Sequence, residues 1–133
     1  MIALDTNLLA RYLTEDHPEQ AAAAARILEQ ECSPERPGFV AQVVLCELVW
    51  VLRGAYGYDK EQIASVLERI LTVAELTVER EEVAWRALAA YRSGPADFAD
   101  YCILFTSQEA GCETLYTFDR KLARSPKAVV PET

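Results

Sequence analysis

Several carboxylates stand out in this sequence by where they lie. Asp5 ends an apolar run, Ile2-Ala3-Leu4, and is followed by Thr6 and Asn7. Glu47 is the only charged residue between Val43 and Leu52. Asp97 and Asp100 lie one helical turn apart in Asp97-Phe-Ala-Asp100, and Asp119 closes the run Leu115-Tyr-Thr-Phe118. A carboxylate among apolar residues must find a partner or take up a proton, because a lone charge there is costly. The neighbours of Glu47 on its helical face, Val43, Val44, Trp50 and Val51, offer no partner. A cation shared with the other acids would resolve that cost. Oxygen ligands without His or Cys among them select Mg²⁺ or Mn²⁺. Such ions acidify a bound water and neutralise a phosphodiester in an in-line displacement.

Plainer readings stand beside this one. Asp is a favoured helix cap, and on its own stretch Asp5 is equally well explained that way. Asp97 with Asp100 imitates a capping box and suits the positive end of a helix dipole. For Asp97, capping and metal binding are equally open.

The elements that must position these acids follow from the patterning. Ile2 to Leu4 reads as a first, central strand of a sheet buried on both faces, with Asp5 at its carboxyl end. Thr6 or Asn7 is expected to cap a helix from Leu8 to Leu13. Pro18 opens a second helix to about Cys32 that carries the alanine run Ala21 to Ala25. A strand at Phe39 to Ala41 leads into a third helix, Gln42 to Arg53, stopped by Gly54 and Gly57. Asp59 caps a fourth helix, and Leu76 to Val78 is a strand. Helices over Glu81 to Arg92 and from Asp97 or Phe98 to Ala110 follow. A strand at Glu113 to Tyr116, a short helix at Arg120 to Arg124 and a strand at Ala128 to Val130 complete the chain. Short strands alternating with helices predict an α/β fold, a mostly parallel sheet sandwiched between helices. Open sheets of this kind place ligands at the carboxyl ends of their strands.

Composition narrows the classes. A chain of 133 residues, 51% hydrophobic and 26% charged, reads as one globular domain over residues 1–133. The net charge of −8 argues against nonspecific nucleic-acid binding by a basic surface. The stretch from Arg120 to Thr133 is the exception, holding Arg120, Lys121, Arg124 and Lys127 against Glu132. Cys32, Cys46, Cys102 and Cys112 follow no C-x-x-C spacing, and His17 is the lone histidine. Free buried thiols are expected rather than a zinc site. With no signal-like or membrane-spanning stretch, a cytoplasmic location with no membrane partner is expected.

Asp5-Thr-Asn7, Glu47 in an apolar helix, Asp97-Phe-Ala-Asp100 and Thr117-Phe-Asp119 together resemble the signature of PIN-domain ribonucleases, over the whole chain. The small size resembles most the VapC toxins of bacterial and archaeal toxin–antitoxin pairs. The resemblance implies a PIN-like three-layer sandwich with about four to five short strands in its central sheet. It implies a Mg²⁺- or Mn²⁺-dependent endoribonuclease with Asp5, Glu47, Asp100 and Asp119 as catalytic acids. Asp5, Asp100 and Asp119 would be metal ligands, with Asn7 and Thr117 in support; Asp97, beside the third acid, is counted with the ligands although the resemblance leaves its role open. Arg120, Lys121 and Arg124 could guide an RNA backbone, although solvation is their commoner role. Single-stranded RNA is the expected substrate, because an A-form duplex hides its base edges. The resemblance also implies a homodimer and a cognate antitoxin with an arginine-bearing C-terminal segment. The run Tyr101-Cys-Ile-Leu-Phe105 departs from the pattern and bears on helix packing. Three other readings are a receiver-like Mg²⁺-binding signalling domain, a PIN nuclease of RNA processing that is not a toxin, and a binding module with a degenerate site. A receiver would want an acidic pair after the first strand, which Asp5-Thr-Asn7 lacks.

Overall fold

The apolar run that opens the chain forms a strand, β1 (Ile2–Ala3). A computed structural model describes residues 1–133, which divide into two compact units, Met1–Glu81 and Glu82–Thr133. All strand pairings are parallel, as the alternation of strands and helices predicts.

In the first unit, α1 (Thr6–Thr14) follows β1, and α2 (Pro18–Arg26) runs on into a π-helical turn at Ile27–Glu31. Next come β2 (Gly38–Val40), α3 (Gln42–Tyr56), α4 (Lys60–Thr72) and β3 (Leu76–Val78). The strands form one sheet in the order β1-β2-β3. Within this sheet β2, not β1, is the middle strand. The Phe39 carbonyl accepts the Leu4 N–H, the Val40 carbonyl accepts the Glu79 N–H, and Gly38 donates to the Glu75 carbonyl. Gly38 is what lets neighbours close on that strand: a Cβ there would meet Leu4 Cδ1 at 2.6 Å and Cys32 Sγ at 3.0 Å. Ala3 is exposed, so β1 is not covered on both faces as expected.

The helices of this unit begin and end for readable reasons. Asp59 caps α4 in a capping box with Gln62, and Gly57, at φ 67°, ends α3 in the left-handed conformation. Gly54 is inside α3, because a glycine with φ in the ordinary range does not stop a helix. Val44, Leu45, Leu48, Val49 and Leu52 form the buried stripe of α3 and share the core with Ile63 and Leu67 of α4. Arg11, Asp16 and Tyr56 tie the surface ends of α1 and α3: Arg11 donates to both, and the Tyr56 hydroxyl donates to Asp16 over 2.8 Å. That tyrosine bond chiefly holds the Asp16 carboxyl below its usual range, with lesser help from Thr14 and Arg11.

The second unit carries α5 (Glu81–Ser93), which begins at the boundary, then α6 (Phe98–Glu109) and β4 (Leu115–Tyr116). A 3₁₀ turn at Leu122–Arg124 and β5 (Ala128–Val129), paired to β4, complete it. Tyr91 and Phe98 pack edge to face at 6.2 Å. The bulky run after Asp100 is accommodated by a glycine. Tyr101 is buried, its hydroxyl accepts the Ala96 N–H at 3.2 Å, and a Cβ on Gly94 would collide with that hydroxyl. Cys32, Cys46 and Cys102 are buried free thiols, whereas Cys112 is exposed, contrary to expectation. No helix is long and apolar enough to cross a membrane.

Candidate active site

Asp5 is itself the cap of α1, displacing Thr6 and Asn7 from the role expected of them. Its Oδ1 accepts the Thr6 N–H at 2.8 Å, so the helix starts at Thr6, two residues earlier than expected. Extended backbone at Asp5 turns the strand into the helix and leaves the carboxylate exposed, with Oδ2 taking no hydrogen bond from the chain. Asn7, in the first turn, is also exposed.

Glu47 is not where its sequence context suggests. The apolar residues of α3 run all round the helix, but the buried face is the one formed by Val44, Leu45, Cys46, Leu48, Val49 and Leu52. Glu47 lies on the outer face between two exposed apolar residues, Val43 (63% exposed) and Trp50 (50%). It is therefore a solvent-facing glutamate on an apolar surface, which corrects the expectation of a buried one. Its partner is a hydroxyl: Thr6 Oγ1 donates to Glu47 Oε1 over 2.7 Å. Thr6 is the buried polar residue of the chain. The sequence pointed to Thr6 only as a cap. Its signal was a threonine in an apolar context whose hydroxyl must find a partner once buried.

In the second unit, Asp97 and Asp100 form a complete capping box. Asp97 Oδ1 accepts the Phe98 N–H at 2.8 Å, and Asp100 Oδ2 accepts the Asp97 N–H at 3.2 Å. Asp119 caps in the same way. Its Oδ1 accepts the Lys121 and Leu122 N–H groups, and its own N–H donates to Thr117 Oγ1 at 3.0 Å. Thr117 thus orients Asp119 by a short side-chain turn, which gives the supporting hydroxyl a physical role. Burial pushes the Asp100 carboxyl above the ordinary carboxylate range. The Asp97 N–H opposes that rise, while the charges of Asp119 and Asp97 and a hydrogen bond with the Asp119 carboxyl add to it.

The structure thus brings Thr6 and Glu47 together in the first unit, and Asp97, Asp100 and Asp119 in the second. No group of three or more His, Cys, Asp or Glu side chains is arranged to hold a metal ion. The donor set nonetheless fits a hard divalent cation in kind, being carboxylate oxygens with no nitrogen or sulfur. The Asp100–Asp119 pair, with one acid held toward its neutral form, is the kind of site a cation would relieve.

The PIN domain family model matches residues 2–128, which takes in all of these acids. The chain belongs to the PIN-domain family. The match places the α/β architecture and its parallel strands in that family rather than with receiver-like domains. The PIN chain is also 25% identical, over 124 residues, to a VapC ribonuclease of Aquifex aeolicus (strain VF5). That similarity covers 93% of this PIN domain chain and 91% of the relative.

Proposed function

We propose that this PIN domain is a Mg²⁺- or Mn²⁺-dependent endoribonuclease, the toxin of a VapBC-type toxin–antitoxin module, acting on single-stranded RNA in the cytoplasm. Asp5, Glu47, Asp100 and Asp119 are its catalytic acids, and Asp97 joins Asp5, Asp100 and Asp119 as a ligand. The observation that carries this reading is the PIN-family match over residues 2–128, which takes in every one of these acids, in a chain similar over 93% of its length to a VapC ribonuclease. When bound, Mg²⁺ or Mn²⁺ supplies charge neutralisation at the phosphodiester and an acidified water. The chain's own groups do the rest. Thr6 holds Glu47 in one rotamer by its hydroxyl, and helix capping fixes Asp5 and Asp119 through Oδ1. A carboxylate held in place can assist as general base. Arg120, Lys121 and Arg124, all exposed, offer charge to the RNA backbone.

The first unit carries a groove of about 780 Å³ between α1, α2 and α4, lined by Leu13, Ala21, Ala25, Val66 and Ile70 among others. Two of the five residues of the alanine run, Ala21 and Ala24, are buried, and Ala21 and Ala25 line the groove. Glu15, Glu29 and Glu75 give its lining an acidic character, moderated by Arg69. The groove supports docking of the body of an antitoxin, while its arginine-bearing C-terminal segment would pair bidentately with the site carboxylates and compete with metal at Asp5 and Asp119. Homodimer formation belongs to the same reading.

Purified protein with Mg²⁺ is expected to cut single-stranded RNA, to stop on chelation, and to lose roughly a hundredfold or more in rate as Asp5→Asn or Asp119→Asn. Mg²⁺ should raise the melting temperature of the wild type by mass action, with a smaller rise in both variants. Intact RNA from cells expressing either the wild type or Asp5→Ala would overturn the ribonuclease reading.

A further inference from the structure

Two large rings stand in water within three residues of each other at the end of β4. Tyr116 is 69% exposed and Phe118 is 74% exposed, whereas Leu115 and Thr117 between and beside them are half-buried. That alternation is the period of a strand with one covered and one open face. Tyr116 is paired with Val129 of β5, itself 44% exposed, and the Thr117 N–H extends the ladder to the Val129 carbonyl at 3.0 Å. The open face of this two-stranded sheet is therefore a short strip of Tyr116, Val129 and Phe118.

The surroundings of the strip say what covers it. From Tyr116 to Val130 the charged residues are Arg120, Lys121, Arg124 and Lys127, with Asp119 the sole acid. All four cations are exposed, and none is engaged by a carboxylate of the chain. In a protein of net charge −8, this is where a polyanion is tolerated. Exposed aromatic rings followed by exposed cations form a surface on which successive unpaired bases stack while the phosphates follow the charge. Phe118 directly precedes Asp119, and Thr117, between the two rings, fixes the Asp119 backbone.

We propose that Tyr116 and Phe118 are a stacking platform for unpaired nucleobases of the RNA beside the bond to be cut, positioning the substrate and setting the preference for single strands. The inference rests on the ribonuclease reading and adds to it the residues that grip the bases. Neither ring touches the reacting atoms, so their loss should raise KM and leave kcat nearly unchanged.

The test uses full-length protein, a single-stranded oligoribonucleotide, and the variants Phe118→Ala, Tyr116→Ala, Phe118→Leu and Phe118→Trp. Each alanine variant is expected to raise KM about tenfold, the worth of one stacked base. Phe118→Trp should restore it and Phe118→Leu should not, because leucine keeps the bulk and loses the π-face. Unchanged melting temperatures would confirm that these exposed positions act on binding. In an Asp5→Asn background, anisotropy with the same oligonucleotide should show the same order of affinities. Cleavage with KM indifferent to both rings would overturn this inference and leave the ribonuclease reading standing. No binding or cleavage of RNA by the wild type would overturn both. Equal KM for RNA with loss of binding to a co-purifying protein would assign the strip to a protein partner and overturn the proposal.

Discussion

Thr6 Oγ1 donates a 2.7 Å hydrogen bond to Glu47 Oε1, joining the first residue of α1 to the outer face of α3 across 41 positions of sequence. The bond binds a buried hydroxyl to an exposed carboxylate, so it fixes the glutamate without hiding it. Thr6→Val removes the donor while keeping the shape. It should cost about 1 kcal/mol of stability. The loss in kcat should be larger than that figure implies, because Glu47 is then free to rotate, and Thr6→Ser should recover most of it. Denaturant melts and initial rates on the three proteins decide the matter, and equal kcat in wild type and Thr6→Val would separate Glu47 from catalysis.

The Asp100 carboxyl gives stability an unusual pH dependence. Its folded pKa is raised, so between the ordinary carboxylate value and the raised one the folded state holds a proton that the unfolded chain has lost. Stability from this group is thus present at low pH, falls as pH rises through that window, and stays lost above it. Metal-free Asp100→Asn should melt higher than the wild type at neutral pH, and the difference should vanish on acidification below the carboxylate range. A variant that melts lower at neutral pH would show that the carboxylate is not strained.

Tyr101 tests how the Asp97 turn is built. Its hydroxyl is the acceptor for the buried Ala96 N–H, one residue before the capping box. Tyr101→Phe leaves that donor unsatisfied and should cost about 1–3 kcal/mol. Gly94→Ala should do comparable harm by pushing the same hydroxyl aside. Calorimetry of both, and of the double variant, should give less than additive losses, since both break one bond.

A control comes from Asp59, which caps α4 with both halves of its box in place. Asp59→Ala should lower stability by about 1 kcal/mol and leave RNA cleavage at permissive temperature unchanged. A loss of activity at full folding would mean that α4 serves the reaction as well as the core.

The acids and the order of the elements were legible in the chain itself. Asp5 after an apolar run, Asp97-Phe-Ala-Asp100, and Thr117-Phe-Asp119 are local patterns, and each folds as a cap through bonds to backbone groups within three residues. The alternation of short strands and helices likewise fixed the parallel α/β class, because parallel strands require crossovers. Other features depended on what packs against what. Apolar residues encircle α3, so periodicity could not tell which face turns inward, and Glu47 is on the open one. The middle place of β2 sets Gly38 between the distant Leu4 and Leu76, whose side chains its missing Cβ admits. The rise at Asp100 needs both burial and the approach of Asp119. Backbone capping is settled within a turn of sequence, whereas facing, burial and the meeting of like charges are settled only when distant segments close.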